Sequence, residues 1–124
     1  MRDTILVVED EDFVAGLIER FLVRGNFRVL RAASGGAAER LFGAHRESIA
    51  LAMVDVTLPD MHGGALVRSL REQAPQLPIL FVSGRDVTAL REAFAGQAPT
   101  GFVAKPFFPA EVVRQVQALI AATA

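Results

Sequence analysis

Short apolar runs and helix-spaced apolar stripes alternate along the whole of this chain. Ile5–Val8 is a β-rich run; from Phe13 the spacing lengthens to that of a helix, with Phe13, Leu17, Ile18 and Phe21 on one stripe. Glu19, Arg20 and Arg24 fall off that stripe, Asp12 stands where an N-cap belongs, and Gly25 and Asn26 stop the helix. Phe27–Leu30 reads as a second strand, and Ser34 caps a helix through Leu41 and Phe42, its first turn weakened by Gly35 and Gly36. Ile49–Val54 is a third strand that stops on an acid, Asp55, before a segment broken by Pro59, Asp60, Gly63 and Gly64. A helix follows from about Ala65 to Gln73, apolar at Leu66, Val67 and Leu70. Pro75 and Pro78 bracket the turn into a fourth strand, Ile79–Val82, ended by Ser83 and Gly84. Val87–Ala95 is expected to be a helix carrying Leu90 and Phe94 inward. Gly101–Ala104 is a fifth strand, followed by Lys105 and Pro106. Pro109 is placed to open the last helix, with Val112, Val113, Val116, Leu119 and Ile120 as its buried face.

Strand and helix in strict alternation, joined by short connections, predict an α/β fold: a parallel sheet covered by helices on both faces. No linker, repeat or low-complexity tract interrupts the pattern, and 124 residues suit one domain spanning 1–124. A hydrophobic fraction of 52% supports a real core and excludes disorder. A net charge of -1 gives no sign of a general nucleic-acid binder or a polybasic membrane anchor, so neither partner is expected. The absence of cysteine removes thiolate chemistry, disulfides and zinc–sulfur sites, and it fits a reducing cytoplasm. The N-terminal MRDTILVVEDED has too short an apolar core for a signal peptide and is followed at once by acids. No stretch approaches the roughly 18 apolar residues of a membrane span.

In a parallel sheet all the carboxyl ends share one edge, where open α/β folds place their ligands. Glu9 and Asp10 stand there after the first strand, Asp55 after the third, Ser83 after the fourth and Lys105 after the fifth. In the strand order 2-1-3-4-5 these ends cluster around the third strand. Three carboxylates together repel unless a cation intervenes. Hard oxygen ligands with no His or Cys suit Mg²⁺ or Mn²⁺, completed by water and a phosphate. An ammonium and a hydroxyl beside such a carboxylate suit a phosphoryl group that Asp55 attacks as nucleophile. Each residue also has a plainer role. Asp55 could simply end its strand facing water, Asp10 could cap the first helix, and Glu9 could be a solvated partner of Arg2. Lys105 could pair with Asp55 or Asp10 in the empty protein, and Ser83 could be an ordinary turn hydroxyl.

Taken together the motifs resemble the receiver domain of two-component response regulators over essentially the whole chain. The acidic pair stands in VVED, the acceptor in VDVTLPDMHG with Pro59 and Gly63, the hydroxyl in LPILFVSG, and the lysine in KPF before a proline that is usually cis in that family. Phe102, three residues before the lysine, takes the aromatic switch position. The resemblance implies a flavodoxin-like, doubly wound five-stranded sheet. It implies that Asp55 takes a phosphoryl group from a phosphohistidine on a sensor histidine kinase or a histidine phosphotransfer protein. It further implies Mg²⁺ held by Asp10, Asp55 and the Thr57 backbone carbonyl, with Glu9 acting mostly through water. Lys105 and Ser83 would bind the phosphoryl oxygens, Ser83 and Phe102 would switch the surface, and Thr57 and Arg85 would tune the lifetime. Two positions depart from the pattern. Glu9 replaces the commoner aspartate, keeping the charge on a longer arm. Phe102 replaces the frequent tyrosine, so a switch here works by burying a ring without a hydroxyl. LPILFVSGR is also similar to receivers attached to hybrid histidine kinases, which points to a phosphorelay.

With the sequence ending at Ala124, the expected readout is a downstream protein target, phosphoryl passage onward, or a phosphorylation-dependent homodimer. Such a domain catalyses only its own phosphorylation and dephosphorylation. Two rivals remain at this stage. A pseudo-receiver would dock partners without phosphorylation, and an aspartate-nucleophile phosphatase would want a second acid where this chain has Thr57.

Overall fold

The computed structural model describes residues 3–123. Strands β1 (Thr4–Val8), β2 (Arg28–Ala32), β3 (Ile49–Asp55), β4 (Ile79–Ser83) and β5 (Thr100–Ala104) alternate with five helices. These are α1 (Asp12–Arg24), α2 (Gly35–His45), α3 (Gly63–Gln73), α4 (Thr88–Ala93) and α5 (Pro109–Ala121). All neighbouring strands pair in parallel, in the order β2-β1-β3-β4-β5. This is the flavodoxin-like, doubly wound sheet expected from the alternation.

Strands β1, β3 and β4 are buried at every position. Because successive side chains point to opposite faces of a strand, their apolar residues divide into two cores. Leu6, Val8, Val54 and Phe81 pack with Phe42, Leu66, Leu70 and Leu90, under α2, α3 and α4. Ile5, Val7, Leu51, Met53 and Val82 pack with Ile18, Leu22, Val112 and Val116, under α1 and α5. Each large apolar side chain taken fully out of water contributes about 1.5–3 kcal/mol, so this two-sided burial fixes the sheet and with it the strand ends.

Several details differ from the sequence pattern. The buried face of α1 is Ala15, Ile18 and Leu22, while Leu17 and Phe21 are half-buried and Phe13 is 77% exposed. Phe13 stands two residues before Ala15, about 200° around the helix, so the face that buries Ala15, Ile18 and Leu22 turns Phe13 to solvent. Glu11, not Asp12, is the N-cap, and it makes no side-chain cap bond; the Asp12 carboxylate pairs with Arg31 of β2. β2 starts and ends later than Phe27–Leu30, as an edge strand with Arg28 and Arg31 exposed. Helix α3 starts ahead of Ala65 because His62 caps it, its Nδ1 accepting from the Gly64 N–H at 3.0 Å. Only Val112 and Val116 of α5 are fully enclosed; Val113, Leu119 and Ile120 are half-buried.

Helix α4 is shorter than Val87–Ala95, although Leu90 and Phe94 do point inward. Its N-cap makes no side-chain bond, and Gly96 at φ 77° turns the chain away from it. The end of α1 follows the expected pattern, with Gly25 as C-cap and Asn26 supplying the left-handed residue at φ 69°. Ser34 caps α2 as expected, its Oγ accepting from the Ala37 N–H at 3.1 Å. Arg71, at the last turn of α3, is buried despite its charge. It donates to the carbonyls of Leu77, Ala98 and Pro99 and to the Thr100 hydroxyl, sewing the starts of β4 and β5 together. Burial pushes its guanidinium down to about 10; its Nη1 has no hydrogen-bond partner among the described residues, and the ring of Phe94 lies 5.8 Å from its Cζ.

Candidate functional site

Strand register brings the polar ends together. Val8 stands opposite Val54, so the residue after each, Glu9 and Asp55, are neighbours at the edge. Asp55 pairs with Val82 and Ser83 with Ala104, which carries Ser83 and Lys105 to the same edge. The Lys105 N–H continues the ladder onto the Ser83 carbonyl at 2.9 Å. The Lys105–Pro106 peptide bond is cis.

Glu9 and Asp55 are both buried, at 3% and 7% exposure. The Lys105 ammonium bridges them, donating to Glu9 Oε1 and Asp55 Oδ2 at 2.9 Å each. The second oxygen of each acid accepts from the backbone: Glu9 Oε2 from the Glu11 N–H at 3.1 Å, and Asp55 Oδ1 from the Thr57 N–H at 3.0 Å. Asp10 is exposed beside them, and one carboxylate oxygen from each of Glu9, Asp10 and Asp55 lies within 4.8 Å of the others. Two buried acids thus share one ammonium, with a third acid beside them. Burial pushes the Glu9 carboxyl up from its ordinary value; bonds from Lys105 and the Glu11 N–H pull against that shift, and the Asp55 charge adds to it. Burial pulls the Lys105 ammonium down, but its bonds to Glu9 and Asp55 outweigh that, leaving it raised. An all-oxygen pocket with excess negative charge, part buried and part open, fits a hard divalent cation such as Mg²⁺.

Two of the plainer roles are set aside by this geometry. Glu9 is enclosed and bonded rather than solvated, and Arg2, its suggested partner, lies outside the described residues. Asp10 is not the cap of α1. Lys105 does pair with Asp55, but its other partner is Glu9 and not Asp10. Ser83 is buried, and its hydroxyl is engaged by its own turn, accepting from the Arg85 N–H at 3.0 Å and donating to the Arg85 carbonyl. Arg85 and Thr57 are exposed. Phe102 is half-buried, stacked on Phe81 with ring centroids 5.5 Å apart.

Other residues at this edge escape a reading of the sequence alone. Asp60 accepts from the N–H groups of Gly35 and Gly36 at 2.8 and 2.9 Å, tying the loop after Asp55 to the start of α2. Those bonds hold its carboxyl below the usual carboxylate range. Thr57 and His62 form an isolated antiparallel bridge that closes the same loop. A Cβ on Gly63 would lie 2.4 Å from the Asp55 carbonyl oxygen, so α3 packs directly on the Asp55 backbone. Arg91 places its guanidinium 4.5 Å from the Phe102 ring. Asp60 and Gly63 left a signal in the sequence only as parts of a broken loop.

Known proteins resemble this chain in sequence and in fold. The chain is 34% identical over 122 residues to the transcriptional regulatory protein TcrX of Mycobacterium tuberculosis, covering 97% of this chain and 50% of that protein. It is 32% identical to the transcriptional regulatory protein SrrA of Staphylococcus aureus, covering 99% and 50% respectively. The chain therefore spans about half the length of these curated relatives. The crystal structure of a response regulator receiver domain protein from Clostridium thermocellum superposes with a TM-score of 0.88 at 21% identity, over 97% of this chain and 95% of that one. Because the curated relatives are transcriptional regulators by name, the expectation of no nucleic-acid partner finds no support in them. No helix among the described residues is long and apolar enough to cross a membrane. Matched from residue 5 to residue 117, the chain belongs to the response regulator receiver domain family, the signalling modules of two-component systems.

Proposed function

We propose that Asp55 accepts a phosphoryl group from the phosphohistidine of a sensor histidine kinase or a histidine phosphotransfer protein. The observation that carries this is the clamp on its carboxylate: one oxygen on the Lys105 ammonium, the other on the Thr57 N–H, with Glu9 and Asp10 alongside. Such a carboxylate is held in one orientation. An Asp55 oxygen attacks phosphorus as the N–P bond breaks; the imidazole leaves with the bonding pair, and an acyl phosphate remains. Lys105 then gives up a carboxylate for a phosphoryl oxygen, and Ser83 turns from Arg85 to donate to another. Glu9 (mostly through water), Asp10, Asp55 and the Thr57 carbonyl would hold Mg²⁺ (or Mn²⁺). That ion supplies charge neutralisation at the phosphoryl oxygens. Thr57 and Arg85, exposed at the rim, set how readily water reaches the acyl phosphate and so its lifetime.

The domain acts on no external substrate; its only chemistry is its own phosphorylation and dephosphorylation, in the cytoplasm. The output is an equilibrium between two surfaces. Moving Ser83 inward frees Phe102 to turn, which reshapes the face of α4, β5 and α5 for a downstream protein or a second copy. Carrying such an equilibrium from about 1:99 to 99:1 takes roughly 5.5 kcal/mol of differential binding, within reach of a few charge-assisted bonds.

The test is intact-mass analysis after treatment with a small acyl-phosphate donor and magnesium. Wild-type protein gains one phosphoryl group and Asp55→Asn gains none. A variant still labelled means another acceptor, and an unlabelled wild type points to a docking module that works without phosphorylation.

A further inference from the structure

We propose that Arg91 is a positioning residue that holds Phe102 against Phe81, acting as a brake on the conformational switch. The proposal rests on the reading of Asp55 as acceptor and Phe102 as switch. The Phe102 ring contacts two groups. One is Phe81, wholly buried, with rings 20° from parallel and centroids 5.5 Å apart. The Arg91 guanidinium also lies over the ring, 4.5 Å from its centroid. A cation over an aromatic face is attracted by the ring quadrupole, and Arg suits that role because its planar group also stacks. Arg91 forms no ion pair among the described residues, so no carboxylate competes for its charge.

The setting makes this contact matter. The ring is half-buried and borders a cleft of about 260 Å³ lined by Arg91, Phe94, Thr100 and Phe102, among others. Arg91 is thus both a wall of that cleft and a contact of the ring. It sits on α4, a helix of six residues held at its start by a side-chain bond, from the Thr88 N–H to Asp86 Oδ1 at 3.0 Å, and helices so short hold their place by packing rather than by propensity. The Arg91–Phe102 contact therefore joins the switch ring to the element expected to move with it. A ring that turns inward leaves the guanidinium behind and gives up the attraction, so the contact favours the conformer seen here. Linkage fixes the sign: whatever stabilises the resting conformer weakens binding of anything that prefers the other.

The experiment measures the affinity of the magnesium-loaded protein for beryllofluoride, a phosphoryl mimic, in wild type, Arg91→Gln and Arg91→Lys. A lost exposed cation–π contact corresponds to a factor of about 2–5. Arg91→Gln should bind that much more tightly, while Arg91→Lys, which keeps the cation but loses the planar stack, should fall between Arg91→Gln and wild type. In a Phe102→Leu background the Arg91→Gln step should have no effect, since the ring it acts on is gone. With ¹³C-labelled phenylalanine, Arg91→Gln should also shift the Phe102 ring resonances in the metal-free protein, whatever its affinity for ligand. Equal affinity of Arg91→Gln and wild type, or a gain that persists without the Phe102 ring, overturns the brake. Unmoved Phe102 resonances overturn it as well. If wild type binds no beryllofluoride at all, the acceptor reading fails instead, and the ring resonances still decide the Arg91–Phe102 contact.

Discussion

At the scale of single residues, the site is set by what fits against the Asp55 backbone as much as by what touches its carboxylate. A Cβ on Gly63 would meet the Asp55 carbonyl oxygen at 2.4 Å and Val56 Cα at 2.9 Å. Both are backbone atoms of a buried strand end and cannot swing aside. Gly63→Ala must therefore push α3 off the edge or bend β3, and overpacking of this kind costs about 1–3 kcal/mol. Gly84→Ala, where the new methyl has open space, should be close to neutral. Urea midpoints of the two variants test this, and equal midpoints would remove the packing argument. The same residue shows what was legible. Gly63 was readable as a loop breaker, yet the reason only glycine serves there is a contact between backbone segments that no local pattern records. Glu9 illustrates a second limit. Its position at the edge followed from the strand pattern, while its burial and its bond to Lys105 needed the distance between two strands separated by most of the chain.

At the scale of elements, periodicity found every strand and helix, because a strand buried on both faces and a helix with one apolar stripe differ in period. It misjudged what lies at helix ends. Phe13 continues the apolar stripe of α1 in sequence, but the buried face is phased on Ala15, Ile18 and Leu22, which leaves the ring 77% exposed. The start of α2 is the clearest case. Gly35 and Gly36 looked like a weak first turn, and tertiary structure repairs it: Asp60 supplies the acceptors their N–H groups lack. This device should show in the pH dependence of stability. The Asp60 carboxyl is held below its ordinary value of 3.8 by those two backbone bonds. Its contribution is thus fully present above that value and is lost as pH falls through the lowered one. Asp60→Asn should unfold at lower urea than wild type near neutral pH, and the gap should narrow steadily once the pH drops below about 3.8. A gap that does not change with pH would mean the carboxylate charge has no part in the cap.

At the scale of the whole molecule, the two cores hold the sheet in one register, and the register forces charges of one sign into one pocket. Glu9, Asp10 and Asp55 bring carboxylate oxygens within 4.8 Å of one another against a single ammonium. Like charges so placed oppose the compact state, so the protein forgoes some stability to keep the site. A cation that binds the folded pocket and not the open chain returns it, by about 1.4 kcal/mol when its concentration is tenfold above the dissociation constant. For a chain of this length that corresponds to a rise in Tm of several degrees. Magnesium should therefore raise Tm in a saturable way, with sodium at matched ionic strength doing much less. Asp10→Asn divides the two effects, because Asp10 is exposed and packs against no core. Removing its charge relieves the repulsion, so the variant without magnesium should melt at or slightly above the wild-type temperature. It also removes a ligand, so most of the increment on adding magnesium should disappear. Should Asp10→Asn melt well below wild type without metal, the acid is stabilising rather than repelled. Should it keep the full magnesium increment, the cation is held somewhere other than the carboxyl edge of the sheet.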